Sequence, residues 1–203
     1  MTKSLEKVNN MVMDILREVG NIGAGNAATS LAKMLNVKVD MEVPQVKILE
    51  FKEFPKIIGG EENLVIGVYF TLSGDIEGSF LFLLDEESAL LLLNLLMPAE
   101  FNEFDEMANS ALQEIGNILS GAYISSLATL TNLDISISVP SISYDMAGAI
   151  LSVPAIEFGK VSDKILIVEN EFFESEMVDT ITGYFLLVPD LDSYDNLLDS
   201  LGV

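Results

Sequence analysis

The chain has no cysteine and no histidine. The first absence excludes a disulfide, a thiolate metal site and a cysteine nucleophile. The second removes the usual general base, most zinc sites and any Ser-His-Asp triad. Basic residues are scarce: 10 Lys and Arg stand against 32 Asp and Glu, a formal net charge of -22. So acidic a chain is repelled by phosphate backbones and anionic membrane surfaces, which argues against nucleic-acid binding. Long apolar runs are missing too. The strongest, residues 89–97, is too short to span a bilayer and is interrupted by Asn94. The opening MTKSLEKVNN is polar and lacks the apolar core of a signal peptide. The expectation is a cytoplasmic protein without membrane insertion, closed to most common enzyme mechanisms. Half of its 203 residues are hydrophobic, enough for a sizeable core.

What is present is one pattern written twice. Asp14, Glu18, Asn21 and Pro44 recur as Ser110, Glu114, Asn117 and Pro140, each 96 residues on. The segments around them match without a gap over 31 positions, with Gly20 over Gly116, Gly25 over Gly121, Leu31 over Leu127 and Asn36 over Asn132. Further on, GSFLFLLD (residues 78–85) resembles GYFLLVPD (residues 183–190) at an offset of 105, so the second half has gained about nine residues. Repeats of this kind set the architecture. The halves run over about 8–100 and 104–203, and no Ser/Gly-rich or Pro-rich linker separates them. Residues 1–203 therefore read as a single domain with an internal pseudo-two-fold repeat.

Apolar residues at helical spacing predict helices over 8–35 and 107–131. In the first, Met11, Ile15, Val19, Ile22, Ala27, Leu31 and Leu35 form the stripe, and Asn36 and Asn132 are the expected stops. Each helix is followed by period-two alternation, Val37 to Val43 and Leu133 to Val139, which predicts a strand ending at its proline. Residues 64–72 and 78–84 read as a hairpin around Ser73-Gly74-Asp75, and 164–170 with 183–188 as its counterpart. Residues 86–97 read as a helix with a shorter counterpart at 194–201. Residues 146–150 read as a short helix with Asp145 as its N-cap. The fold class is α+β: two long helices packed on a mainly antiparallel sheet.

Spacings of four and three residues place Asp14, Glu18 and Asn21 on one helix face, and Ser110, Glu114 and Asn117 on its copy. The apolar stripe occupies another face, so both Glu–Asn pairs project outward. Such a pair is a solvated face in many helices. Here, however, other exposed positions differ between the copies, Asn26 against Ala122 and Lys38 against Asp134, while Glu and Asn do not. An amide can orient a water without exchanging a proton, and a carboxylate can pair with a partner's lysine. Neither is a strong nucleophile, which suits a reaction whose electrophile and metal come from the other molecule. The helix glycines, Gly20, Gly23, Gly25, Gly116 and Gly121, each cost about 1 kcal/mol relative to alanine. Either close helix packing or close approach of a partner's backbone must offset that.

The pattern Asp/Ser, three residues, Glu, two residues, Asn, twenty-two residues, Pro resembles the signature of the CheC/CheX/FliY family of bacterial chemotaxis phosphatases, and it is satisfied by both Asp14-Glu18-Asn21-Pro44 and Ser110-Glu114-Asn117-Pro140. The flanking EVGNIGAGNAATSLAKM and QEIGNILSGAYISSL resemble the family's helices. Two intact patterns resemble the CheC branch, because CheX-like members usually lose one. Neither FliY's C-terminal rotor domain nor its N-terminal targeting peptide is visible. The resemblance implies hydrolysis of the aspartyl phosphate of the response regulator CheY. Asn21 and Asn117 would orient the attacking water, and Glu18 and Glu114 would pair with the regulator's lysine. Mg²⁺ would be supplied by the regulator, with no metal or cofactor of the chain's own. Asp14 and Ser110 would support the helix start or the docking surface, and Pro44 and Pro140 would end strands. The family also implies a second partner, the receptor deamidase CheD, for which YDMAGAIL (residues 144–151) resembles the docking helix; Asp145 and Met146 are the candidate contacts. The alternative function is a non-enzymatic adaptor holding CheD or a flagellar switch component. A monomer is the expected state.

Overall fold

Two helices of equal length, α1 (Asn10–Leu35) and α4 (Glu106–Thr131), occupy the two repeated segments. Both stop where the repeat places an asparagine: Asn36 and Asn132 adopt left-handed backbone, with φ of 54° and 56°. Asparagine tolerates that conformation, and it ends a helix there. Asp105 starts α4 by accepting a hydrogen bond from the Ala108 amide at 2.8 Å. The computed structural model describes residues 10–42, 44–97, 104–157, 164–174 and 180–201.

After α1 come β1 (Val39–Met41), β2 (Gln45–Glu50), a 3₁₀ turn (Phe51–Glu53), α2 (Phe54–Ile57), β3 (Leu64–Gly74), β4 (Gly78–Asp85) and α3 (Glu86–Leu96). After α4 come β5 (Ile135–Ile137), β6 (Ser141–Met146), α5 (Ala147–Glu157), β7 (Lys164–Glu174), β8 (Thr180–Pro189) and α6 (Leu191–Ser200). The strands form an antiparallel sheet in the order β1-β7-β8-β4-β3-β5, with β2 also on β7 and β6 also on β3. Thus β1 and β2 of the first half pair with a strand of the second, and β5 and β6 return the exchange. The two halves meet at the central pair β4–β8. Each half alone would leave strand edges unpaired.

Both faces of the sheet are covered. On one lie α1, α3, α4 and α6 over a core in which Tyr123, Phe80, Phe82 and Phe185 stack at centroid distances of 5.0–5.7 Å. On the other lie α2 and α5, with Phe54, Ile150 and Leu151 over Leu81, Leu83 and Leu186. The long helices also touch each other: Asn26 Nδ2 donates to Ser126 Oγ at 2.9 Å.

Several sequence expectations are corrected. The prolines do not end the edge pairing. Ile137 pairs with Leu72 and Ser141 with Tyr69, so residues 138–140 face only 70 and 71. Met41 pairs with Phe172 and Gln45 with Glu169, which gives the first half the same excess. β1 and β5 thus end before their prolines, as expected, but a further strand, β2 or β6, begins one residue after each proline and pairs with the same partner. The short helix expected at 146–150 begins at Ala147 and runs on through Pro154 to Glu157. Ile150, Leu151 and Pro154 are buried there, and that burial offsets the proline's disruption. Asp145 belongs to β6, not to a helix cap; its Oδ1 accepts from the next amide, Met146, at 2.7 Å. The last helix starts at Leu191, capped by Asp190, so it is one residue shorter than α3. The extra residues of the second half enter at two places. The offset is 96 through β6, 100 at β7 against β3, and 105 at β8 against β4.

Candidate functional site

The rotation of each long helix decides where its polar residues point, and glycine sets that rotation. A Cβ on Gly116 would lie 2.7 Å from Val68 Cγ2 on β3, and one on Gly20 would lie 3.0 Å from Val46 Cγ2 on β2. Gly23 lies against the Tyr123 ring, which a Cβ would meet at 2.7 Å. These three glycines let helix and sheet, or helix and helix, approach more closely than any side chain allows. Packing accounts for them.

With that face pinned to the core, the opposite face carries the pattern. Glu18 and Glu114 are exposed, and Asn21 and Asn117 are half-buried. Among the described residues, no side-chain hydrogen bond or ion pair engages any of the four. An amide offers two donors and an acceptor, so both asparagines are free to hold water or a ligand. The carboxylate one turn before each asparagine lies on the same stripe. Ile22, expected in the buried stripe, is instead 36% exposed beside Asn21.

The supporting residues differ between the copies. Asp14 pairs with Arg17 at 2.9 Å, both exposed, so the one cation adjacent to Glu18 in sequence is already engaged. Ser110 donates instead to the Glu106 carbonyl at 2.8 Å. The cap of α4 is Asp105, so Ser110 does not start the helix. Pro44 is buried, with its Cγ 3.9 Å from a Cβ on Gly20, and Pro140 accepts a hydrogen bond from Gln113 Nε2 at 2.7 Å. Both prolines lie at the strand–helix contact behind their site.

Asp145 and Met146 lie elsewhere. Asp145 shares with Gly67, Tyr69, Ser143, Ile150 and Val153 the wall of a cavity of about 300 Å³ between β3, β6 and α5. That cavity is on the sheet face away from α1 and α4. Val153 at its wall is exposed, whereas the exposed Tyr144 and Met146 point to the other face of β6, opposite Ile66 and Leu64, where the Tyr144 ring packs on Phe104 at 4.8 Å. The Tyr144 hydroxyl is pushed above its ordinary pKa by burial first and by its hydrogen bond to Glu86 second. The sequence reading missed β6 as the strand carrying this region, because Pro140 read as a terminus. Among the described residues, no group of three or more carboxylates is arranged to hold a metal ion, and no helix is long and apolar enough to cross a membrane.

Both repeated segments match a known family model, the CheC-like family, over residues 11–48 and 107–144. The CheY-P phosphatase CheC of Bacillus subtilis (strain 168) is 38% identical over 195 residues, spanning 94% of this chain and 93% of that protein. Among solved structures, Thermotoga maritima FliY superimposes with a TM-score of 0.74 at 24% identity, over 96% of this chain and 99% of that one. A CheX-CheY-BeF3-Mg complex from Borrelia burgdorferi is similar with a TM-score of 0.53 at 21% identity, over 82% and 94% of the two chains.

Proposed function

This chain belongs to the CheC-like family, and from that kinship we propose that it hydrolyses the aspartyl phosphate of the response regulator CheY, once on each long helix. The observation that carries this reading is the twice-repeated, outward-facing asparagine that is half-buried and, among the described residues, hydrogen-bonded by no side chain, one turn after an exposed glutamate.

In the reaction a water oxygen bonds to phosphorus, the bond from phosphorus to the aspartyl oxygen breaks, and inorganic phosphate and a free carboxylate leave. Asn21 and Asn117 each hold the water in line with the bond that breaks. Glu18 and Glu114 pair with the lysine beside the regulator's phosphoryl group and fix the docking angle. The Mg²⁺ that neutralises the developing charge comes with the regulator as part of the substrate. Phosphoryl transfer depends mainly on positioning and electrostatics. A chain without histidine or cysteine can therefore catalyse it.

Decay of radiolabelled phospho-CheY tests this, with wild type, Asn21→Ala, Asn117→Ala and the double variant compared. Acceleration by wild type that only the double variant loses supports two amide-dependent sites. No acceleration by wild type overturns the reading.

We further propose, from the family likeness, that the receptor deamidase CheD docks on β6 and the start of α5, with the chain acting as a cytoplasmic monomer. The exposed Asp145 on the cavity wall supports that placement, with Tyr144 and Met146 exposed on the other face of the same edge strand. Asp145→Ala weakens CheD binding in a titration if the placement holds, and unchanged affinity with Asp145→Ala and Met146→Ala together counts against it. The cavity and Asp145 also suit the adaptor role, since they lie on the sheet face away from both Glu–Asn pairs.

A further inference from the structure

Gly25 and Gly121 follow Asn21 and Asn117 by four residues, so each lies on the same helix face one turn beyond the amide. They differ from the other helix glycines of the repeat. Packing requires Gly20, Gly23 and Gly116, whereas a Cβ on Gly25 or Gly121 would meet nothing within 4 Å. The fold has no steric need for glycine at either position. Glycine is nonetheless among the least favourable residues in a helix interior, and it stands there in both copies.

We propose that Gly25 and Gly121 are positioning residues, whose absent side chains leave room for the regulator backbone that carries the phospho-aspartate. The inference rests on the phosphatase reading above. An in-line attack needs the reacting atoms about 3–3.5 Å apart, and about 1 Å of misplacement can cost about a hundredfold in rate. A side chain one turn from the amide holds an incoming backbone away by more than that. Ile22 and Ile118, beside the amides on the same face, supply apolar contact to the docked segment.

The test uses the full chain with one site silenced. Gly121→Ala and Gly121→Leu are made on Asn21→Ala, and Gly25→Ala and Gly25→Leu on Asn117→Ala. Each is assayed for phospho-CheY hydrolysis and thermal unfolding. The expected result separates the two readouts. Leucine lowers kcat/KM of the remaining site by about tenfold or more, with kcat falling as well as KM rising, and alanine lowers it less. The melting temperature holds or rises, because both residues favour helix over glycine and meet no neighbour. If the single-site parents are active and the leucine variants stay within twofold of them, this inference falls alone. If activity and melting temperature fall together, the glycines serve the fold and the inference is overturned. If the parents and wild type are all inactive, it falls together with the phosphatase reading.

Discussion

Leu81 on β4 and Leu186 on β8 pair directly across the centre of the sheet, and each is the other's counterpart in the repeat. The pseudo-two-fold axis passes between them. Both are fully buried on the face covered by α2 and α5. Equivalent burial predicts equivalent cost: Leu81→Ala and Leu186→Ala each destabilise by about 2–5 kcal/mol. Because they touch, the double variant departs from additivity. Urea unfolding of the three variants checks this, and a loss below about 1 kcal/mol for either single variant contradicts the placement.

Gly116 and Gly121 lie five residues apart on α4 and should respond oppositely to alanine. At Gly116 the new methyl presses on Val68, so Gly116→Ala costs about 1–3 kcal/mol through overpacking. Gly20→Ala, with slightly more room against Val46, costs less. Differential scanning calorimetry of the two decides the order.

Glu114 is predicted to act on docking rather than on the chemical step. With site one silenced by Asn21→Ala, Glu114→Gln raises KM about tenfold and leaves kcat within a few-fold. A fall in kcat at constant KM assigns the carboxylate to the transition state instead.

Stability should fail on the alkaline side. Burial pushes the Tyr123 and Tyr194 hydroxyls well above their ordinary value, and burial followed by the charges of Glu169 and Asp85 pushes Tyr184 up to about 12. The unfolded chain ionises these phenols near pH ~10. Their contribution is therefore complete below pH ~10 and is lost as pH rises from there through the folded-state values. Denaturant midpoints measured from pH 8 to 12 should be flat at first and then fall. A midpoint still level at the top of that range contradicts the burial of these rings.

The helices and the outward direction of both Glu–Asn pairs were legible because a 3.6-residue period and a gapless repeat report the same thing twice. Ile22 was misassigned to the buried stripe because spacing alone cannot tell which side of the apolar arc meets the core. The tight contacts at Gly20 and Gly23 turn the helix so that Ile22 falls outside. β2 and β6 went unread because a proline marks a strand end in most sequences. The pairing that restarts beyond each proline depends on β7 and β3, far along the chain.

The sequence by itself determined the duplication, the two long helices with their asparagine stops, the absence of histidine and cysteine chemistry, and the pairing of Glu with Asn on one helix face. All of these are local or periodic properties. Only the tertiary structure decided that the halves exchange their edge strands, that three of the five helix glycines serve packing while two face open space, and that Asp145 lies on the sheet face away from α1 and α4 while Tyr144 beside it turns to the other. Each of those depends on contacts between residues far apart in the chain, where burial and strand pairing, not local spacing, set the geometry.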